Sequence, residues 1–250
     1  MPSLDFNCDL GEGCGQDAAI VPHISSASIA CGAHAGDAGT IRASIALCLA
    51  HGVAIGAHPS FEDRDHFGRR ELALPVASIH ALVARQVSIV ANACADAGTR
   101  LHHVKPHGAL YNLAARDRAA AAAIAAAVRE ADPGLLLYAL SDSELAGAGE
   151  AAELRVVREA FAERAYDADG RLAPRGTPGA VIEGFDAALS QVRDLVRDGS
   201  VVARDGTRVP IRADTLCLHG DRADAAQFAR GLRAALEAEG VSIRAPGGGA

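Results

Sequence analysis

Short apolar runs alternate with longer segments of helical spacing along most of the chain. Leu4-Asp5-Phe6-Asn7-Cys8 alternates apolar and polar positions as a short strand does and ends in the Gly-rich turn Asp9-Leu10-Gly11-Glu12-Gly13. Ala27 to Cys31 is a second apolar run, followed by Gly32, His34, Gly36 and Asp37. Ile41, Ile45, Cys48 and Leu49 recur at helical spacing behind Asp37 or Thr40 as a cap, and Gly52 stops that helix. Val53 to Ala57 reads as the third strand and ends in His58-Pro59-Ser60. A polar loop from Glu62 to Glu71 carries Arg64, Arg69 and Arg70. Pro75 then opens a helix that Gly98 closes.

The same rhythm continues to the end. Leu101 to Val104 is a strand leading into Lys105-Pro106-His107-Gly108. An Ala-rich helix spans Ala119 to Ala131, and Leu135 to Leu140 is a buried-type strand. Asp142 to Gly149 reads as a short helix and Arg155-Val156-Val157 as a sixth strand ending near Glu159. Tyr166 to Pro178 reads as irregular. Asp186 to Arg197 is helical, Thr215 to Leu218 is the last strand before His219-Gly220-Asp221, and a final helix runs from about Ala223 to Glu239. Nothing rich enough in Pro, Gly or Ser divides the chain. The expectation is one α/β domain over 1–245, with 246–250 a disordered tail. Strand–helix alternation means a parallel sheet, closed as a barrel or open and doubly wound. The number of strand runs favours a parallel (β/α) barrel of seven strands rather than eight. No G-x-G-x-x-G follows the first strand and no P-loop pattern occurs, which weighs against a Rossmann or P-loop fold.

Composition narrows the function classes. Half of the 250 residues are apolar and Trp is absent, so a large core must be built from Ala, Val, Leu and Ile. A net charge of −7 argues against a nucleic-acid partner. No stretch reads as long and apolar enough to cross a membrane, and the first residues lack a secretory pattern. The six cysteines form no C-x-x-C pair, which fits reduced thiols in a cytoplasm. Of the 24 basic residues, the only lysine is Lys105. A buried lysine can lose its proton, whereas arginine cannot.

The chemically capable side chains sit just after the strands: Asp9 and Glu12, His34 and Asp37, His58, Lys105 and His107, Glu159, His219 and Asp221. In a parallel α/β barrel all these positions share the C-terminal face, where chemistry is done. Two chemistries fit. Asp9, His34 and His58 would bind a divalent metal with open positions for water and substrate. Alternatively, Asp9 or Glu12 would act as general base on water while Lys105, His107 and His219 stabilise an oxyanion or a phosphorylated carbonyl.

Five motifs in order resemble the LamB/YcsF family of 5-oxoprolinase A subunits: Asn7 to Gly13, Ile29 to Asp37, Gly52 to Ser60, Val104 to Asn112, and Cys217 to Asp221. Phe161 to Tyr166, Gly170 to Arg175 and Pro178 to Ala180 also follow its pattern. The one departure is Ala33, where the family usually carries Phe. The resemblance implies ATP-dependent cleavage of 5-oxo-L-proline to L-glutamate, partner subunits B and C, ATP supplied through the complex, and a fold similar to the glycoside hydrolase/deacetylase superfamily. The strand-end positions are expected to supply Asp9, Glu12, Lys105, His107 and His219 as catalytic groups, with Asn7, Asp37, Arg69, Tyr111 and Asp221 as substrate contacts. Asp9, His34 and His58 are the nearest counterparts of that superfamily's Asp-His-His metal set. The alternatives are a non-catalytic subunit that holds 5-oxoproline for its partners and a metal-dependent deacetylase.

Overall fold

The computed structural model describes residues 3–218 and 224–247. Seven parallel strands close into a barrel: β1 (Ser3–Leu10), β2 (Ser26–Ala30), β3 (Ala54–His58), β4 (His103–Val104), β5 (Leu136–Leu140), β6 (Arg155–Phe161) and β9 (Thr215–Leu218). Each pairs with the next, and β9 returns to β1 through Asp5↔Thr215 to Cys8↔Leu218, which leaves no open edge in the ring. The seven-stranded expectation holds. A short β10 (Ser242–Ile243) adds to the start of β1. An antiparallel pair outside the barrel, β7 (Ser200–Val202) and β8 (Arg208–Pro210), was not anticipated from sequence.

Helices α1 (Asp17–Ile20), α2 (Ala38–His51), α3 (Val76–Asp96), α4 (Gly108–Ala114), α5 (Arg118–Ala131), α6 (Glu144–Ala151), α7 (Phe185–Asp198) and α8 (Ala225–Ala238) join the strands. Their ends follow local chemistry. Asp37 accepts the Thr40 N–H at the start of α2, and Gly52 closes that helix in the left-handed region at φ 67°. Asp117 and Ser143 cap α5 and α6 in the same way. By length and composition α3 is long and apolar enough to span a membrane, contrary to the reading from sequence. In the fold, Ile79, Leu82, Val83, Val87, Val90 and Cys94 bury one face of it in the core.

The alternation in β1 has a meaning the sequence did not disclose. Leu4, Phe6, Cys8 and Leu10 join the apolar core, whereas Asp5, Asn7 and Asp9 bond to side chains from across the barrel. The barrel interior is therefore polar. At its base the buried Asp5 carboxylate accepts four hydroxyls: Ser25 Oγ at 2.6 Å, Ser26 Oγ at 2.7 Å, Tyr138 OH at 2.9 Å and Thr215 Oγ1 at 2.6 Å. A buried carboxylate persists only when its lone pairs are met in this way. Above it, His103 stacks on Tyr138 with ring centroids 4.1 Å apart. The ring fits because residue 56 is glycine: a Cβ there would lie 2.1 Å from His103 Nε2.

Pro246 and Gly247, part of the expected tail, are described. Pro246 O accepts from His102 Nε2 at 2.8 Å.

Candidate active site

The C-terminal strand ends converge, as parallel topology requires. Lys105 follows β4 directly, and its ammonium lies 2.6 Å from Asp9 Oδ1, 2.8 Å from Asn7 Oδ1 and 3.1 Å from Glu159 Oε1, with the Cys217 thiol at 3.3 Å. An ammonium has three N–H donors, and these partners occupy all of them. Burial opposes the charge on Lys105, but the carboxylates of Asp9 and Glu159 outweigh it and hold its pKa well above the usual lysine value. Lys105 is thus a fixed cation and not the proton-losing lysine that its singularity suggested. Glu159 is fully buried; its Oε1 also accepts from Asn7 Nδ2 at 3.0 Å and its Oε2 from Tyr111 OH at 2.6 Å.

Beside this ion pair lies a histidine cluster. His58 Nδ1 donates to Lys105 O at 2.7 Å, and His107 Nε2 donates to Phe67 O at 2.9 Å. With those nitrogens committed, His58 Nε2 and His107 Nδ1 face one another at 2.9 Å. Asp9 Oδ2 lies 3.3 Å from His58 Nε2, and Glu12 Oε1 lies 3.5 Å from His107 Nδ1. Burial and the two neighbouring imidazoles hold His107 well below the usual histidine pKa, so the ring is neutral. Ligand atoms from Asp9, Glu12, His58 and His107 all fall within 4.8 Å of one another. Two imidazole nitrogens, two carboxylates and a carbonyl fixing each ring's far nitrogen match the donor set and outer-shell support of a divalent metal.

His34 stands beside this set. Its ring stacks on His107 with centroids 3.9 Å apart, its Nε2 bonds Glu12 Oε1 at 3.1 Å, and burial lowers its pKa to about 4. The ligand set the geometry assembles therefore keeps Asp9 and His58 from the sequence-based trio, adds Glu12 and His107, and leaves His34 packed against them. Gly108 allows the loops to meet, because a Cβ there would lie 2.6 Å from Gly68 O.

A cavity of about 250 Å³ opens over the cluster, lined by Asp9, His58, Lys105, His107, Tyr111 and Glu159 among others. Arg69 also lines it, its guanidinium 4.9 Å from the centre of the Phe67 ring. Asn7 lies beneath the cavity wall, its amide bonded to Lys105, Glu159 and Thr215. Asp37 caps α2 and, with Ala33, lines a different groove shared with Arg64 and Ile89. Ala33 therefore lines that groove and not the main cavity. His219 and Asp221 lie outside the described residues. Glu159, Arg164 and Arg175 also line the cavity, although sequence reasoning gave none of them a defined role. Glu159 carried a signal, an acid at a strand end. The arginines sit in the irregular segment after β6, where no periodicity points anywhere.

A closed parallel barrel with an acid–imidazole cluster at its C-terminal mouth defines a class of parallel α/β-barrel proteins that carry their polar site at the strand ends. The LamB/YcsF family model matches residues 4–248, and the chain belongs to that family. It is 51% identical over 249 residues to the 5-oxoprolinase A subunit of Bordetella pertussis, covering 98% of this chain and 99% of that protein. The crystal structure of a lactam utilization protein from Thermus thermophilus superposes with a TM-score of 0.91 at 46% identity, over 97% of this chain and 99% of that one. A T48 deacetylase shares the fold alone, with a TM-score of 0.51 at 12% identity over 97% of this chain and 87% of that one.

Proposed function

We propose that this chain acts in 5-oxoproline utilization as the A subunit of a hydrolase that opens the lactam of 5-oxo-L-proline to L-glutamate, with ATP and partner subunits B and C. Relatives named as 5-oxoprolinase A subunits and as a lactam utilization protein support the substrate class. The observation that carries the chemistry is Asp9: a carboxylate on the cavity wall, locked by Lys105 at 2.6 Å and facing His58.

A five-membered lactam is a resonance-stabilised amide, and water attacks it slowly. Transfer of a phosphoryl group from ATP to the lactam oxygen makes C5 electrophilic. The chain has no P-loop pattern, so this transfer is assigned to the partners. Asp9 orients the attacking water and accepts its proton. The C5–N bond then breaks, the nitrogen takes a proton and becomes the glutamate amine, and the γ-glutamyl phosphate left at C5 is hydrolysed by a second water to glutamate and phosphate. The charge on Lys105 keeps Asp9 ionised and fixed for this role. Asp9, Glu12, His58 and His107 are the residues that would hold a divalent metal, which would polarise oxygen as a Lewis acid.

The test is glutamate release from 5-oxo-L-proline by the purified chain with its partner subunits, omitting one component at a time. Release should require the chain, the partners and ATP together. Comparable release by the chain alone without ATP would overturn the division of labour.

A further inference from the structure

Four cations, Arg69, Lys105, Arg164 and Arg175, line the cavity against two carboxylates, Asp9 and Glu159. Lys105 already answers both carboxylates. The positive excess therefore lies at the arginine side, away from the ion pair.

Arg164 is the unusual member. It is buried, at 5% exposure, and among the described residues it forms no ion pair. Glu163, beside it in the chain, offsets part of its charge, and the remainder is costly to bury unless a ligand completes it. Its place is fixed from several directions. Nε donates to Ala180 O at 3.3 Å and Nη2 to Ala173 O at 2.6 Å. Its own carbonyl accepts from Gln191 Nε2 at 3.0 Å, the same amide that bonds Phe161 O at 2.9 Å. A backbone bridge from Arg164 to Val181 holds the segment. Of the five guanidinium N–H donors, two are spent on those carbonyls, which leaves both on Nη1 and one on Nη2. That remaining edge is a fork suited to two oxygens of a carboxylate. Burial and the neighbouring Arg175 pull its pKa down to about 10, so the group stays charged at neutral pH.

We infer that Arg164 is the specificity residue that receives the substrate's α-carboxylate, orienting the ring so that the lactam carbonyl faces Asp9 and the histidine cluster. This deepens the ring-opening reading and rests on it. A lactam without the carboxylate would forfeit this contact alone.

Isothermal titration of the full chain with 5-oxo-L-proline and with 2-pyrrolidinone, its neutral counterpart, tests the assignment in wild type, Arg164→Gln and Arg164→Lys. The wild type should favour 5-oxo-L-proline by about tenfold or more, the worth of a charge-assisted hydrogen bond. Arg164→Gln should bring that ratio close to one with 2-pyrrolidinone binding unchanged, and Arg164→Lys should restore part of it. An unchanged ratio in Arg164→Gln would overturn the assignment while leaving the ring-opening reading standing. Equal weakening of both ligands would show that Arg164 only holds its loop, and overturns it too. A wild type that binds neither lactam would remove the ring-opening reading and this inference together.

Discussion

His58 Nε2 faces His107 Nδ1 at 2.9 Å while each ring donates from its other nitrogen to a backbone carbonyl. Unless something positive lies between the two facing nitrogens, the contact sets lone pair against lone pair. The contact requires a cation shared with Asp9 and Glu12, either a proton or a metal ion.

Metal binding separates these. Zinc or manganese titrated into chelator-treated protein should bind, with His58→Ala and His107→Ala each weakening affinity by more than the roughly 10–100-fold typical of losing an outer-shell partner. Metal analysis and calorimetry read this without activity. Equal affinity in wild type and both variants would mean the imidazoles share a proton instead.

Lys105→Met should destabilise the fold as well as the reaction. It strands Asp9 and Glu159 as buried charges, and breaking such a pair costs about 3–5 kcal/mol. At roughly 2–4 °C per kcal/mol for a domain of this size, the fall in Tm is easily seen by calorimetry. Lys105→Arg should also lose stability, since a longer, planar fork cannot occupy the same set of acceptors. An unchanged Tm in both variants would contradict the buried-pair account.

Much of this site was legible in the sequence because topology does the gathering. Once alternating strands and helices imply a parallel barrel, Asp9, Glu12, His58, Lys105 and His107 must share one mouth. What stayed hidden depends on direction and distance. The alternation in β1 announced two faces but not that Asp5 and Asn7 would turn inward, and Asn7 proved to bond Lys105 from beneath the cavity wall. The sequence assigned His34 to the metal trio and His107 to charge stabilisation, and only their positions in space bring His107 into the cluster with Asp9, Glu12 and His58. Arg164 lies in a segment held by isolated bridges and side-chain bonds, which leave no periodic trace.

Asp5→Asn should destabilise the barrel base. The amide offers one acceptor oxygen where four hydroxyls now converge, and each stranded polar group costs about 1–3 kcal/mol. Burial raises the Asp5 pKa above its ordinary value of 3.8, against the pull of the four hydroxyls. A raised folded-state value means that the contribution of Asp5 is full below the ordinary carboxylate range and declines as pH rises through the folded value. The stability gap between wild type and Asp5→Asn, followed by urea unfolding, should therefore narrow as pH rises from acid. A gap that widens would show the hydroxyls winning over burial.

Gly56→Ala should be poorly tolerated although it lies outside the reaction. Its methyl would overlap the His103 ring, which is itself stacked on Tyr138. Overpacking of this kind costs about 1–3 kcal/mol or more. Gly56→Ala combined with His103→Ala should recover part of the loss in thermal unfolding. No recovery in the double variant would place the cost elsewhere.

The central claim is that Asp9 on this chain opens the lactam. The most direct measurement is glutamate formed by the chain assembled with its partner subunits, comparing wild type with Asp9→Asn, an isosteric change that keeps an acceptor beside Lys105 but removes the base. Asp9→Asn should assemble normally and lose about a hundredfold or more of ATP-dependent glutamate formation, the typical weight of one general base. Wild-type glutamate formation by assembled Asp9→Asn would contradict the account and leave this chain holding the substrate for chemistry done elsewhere.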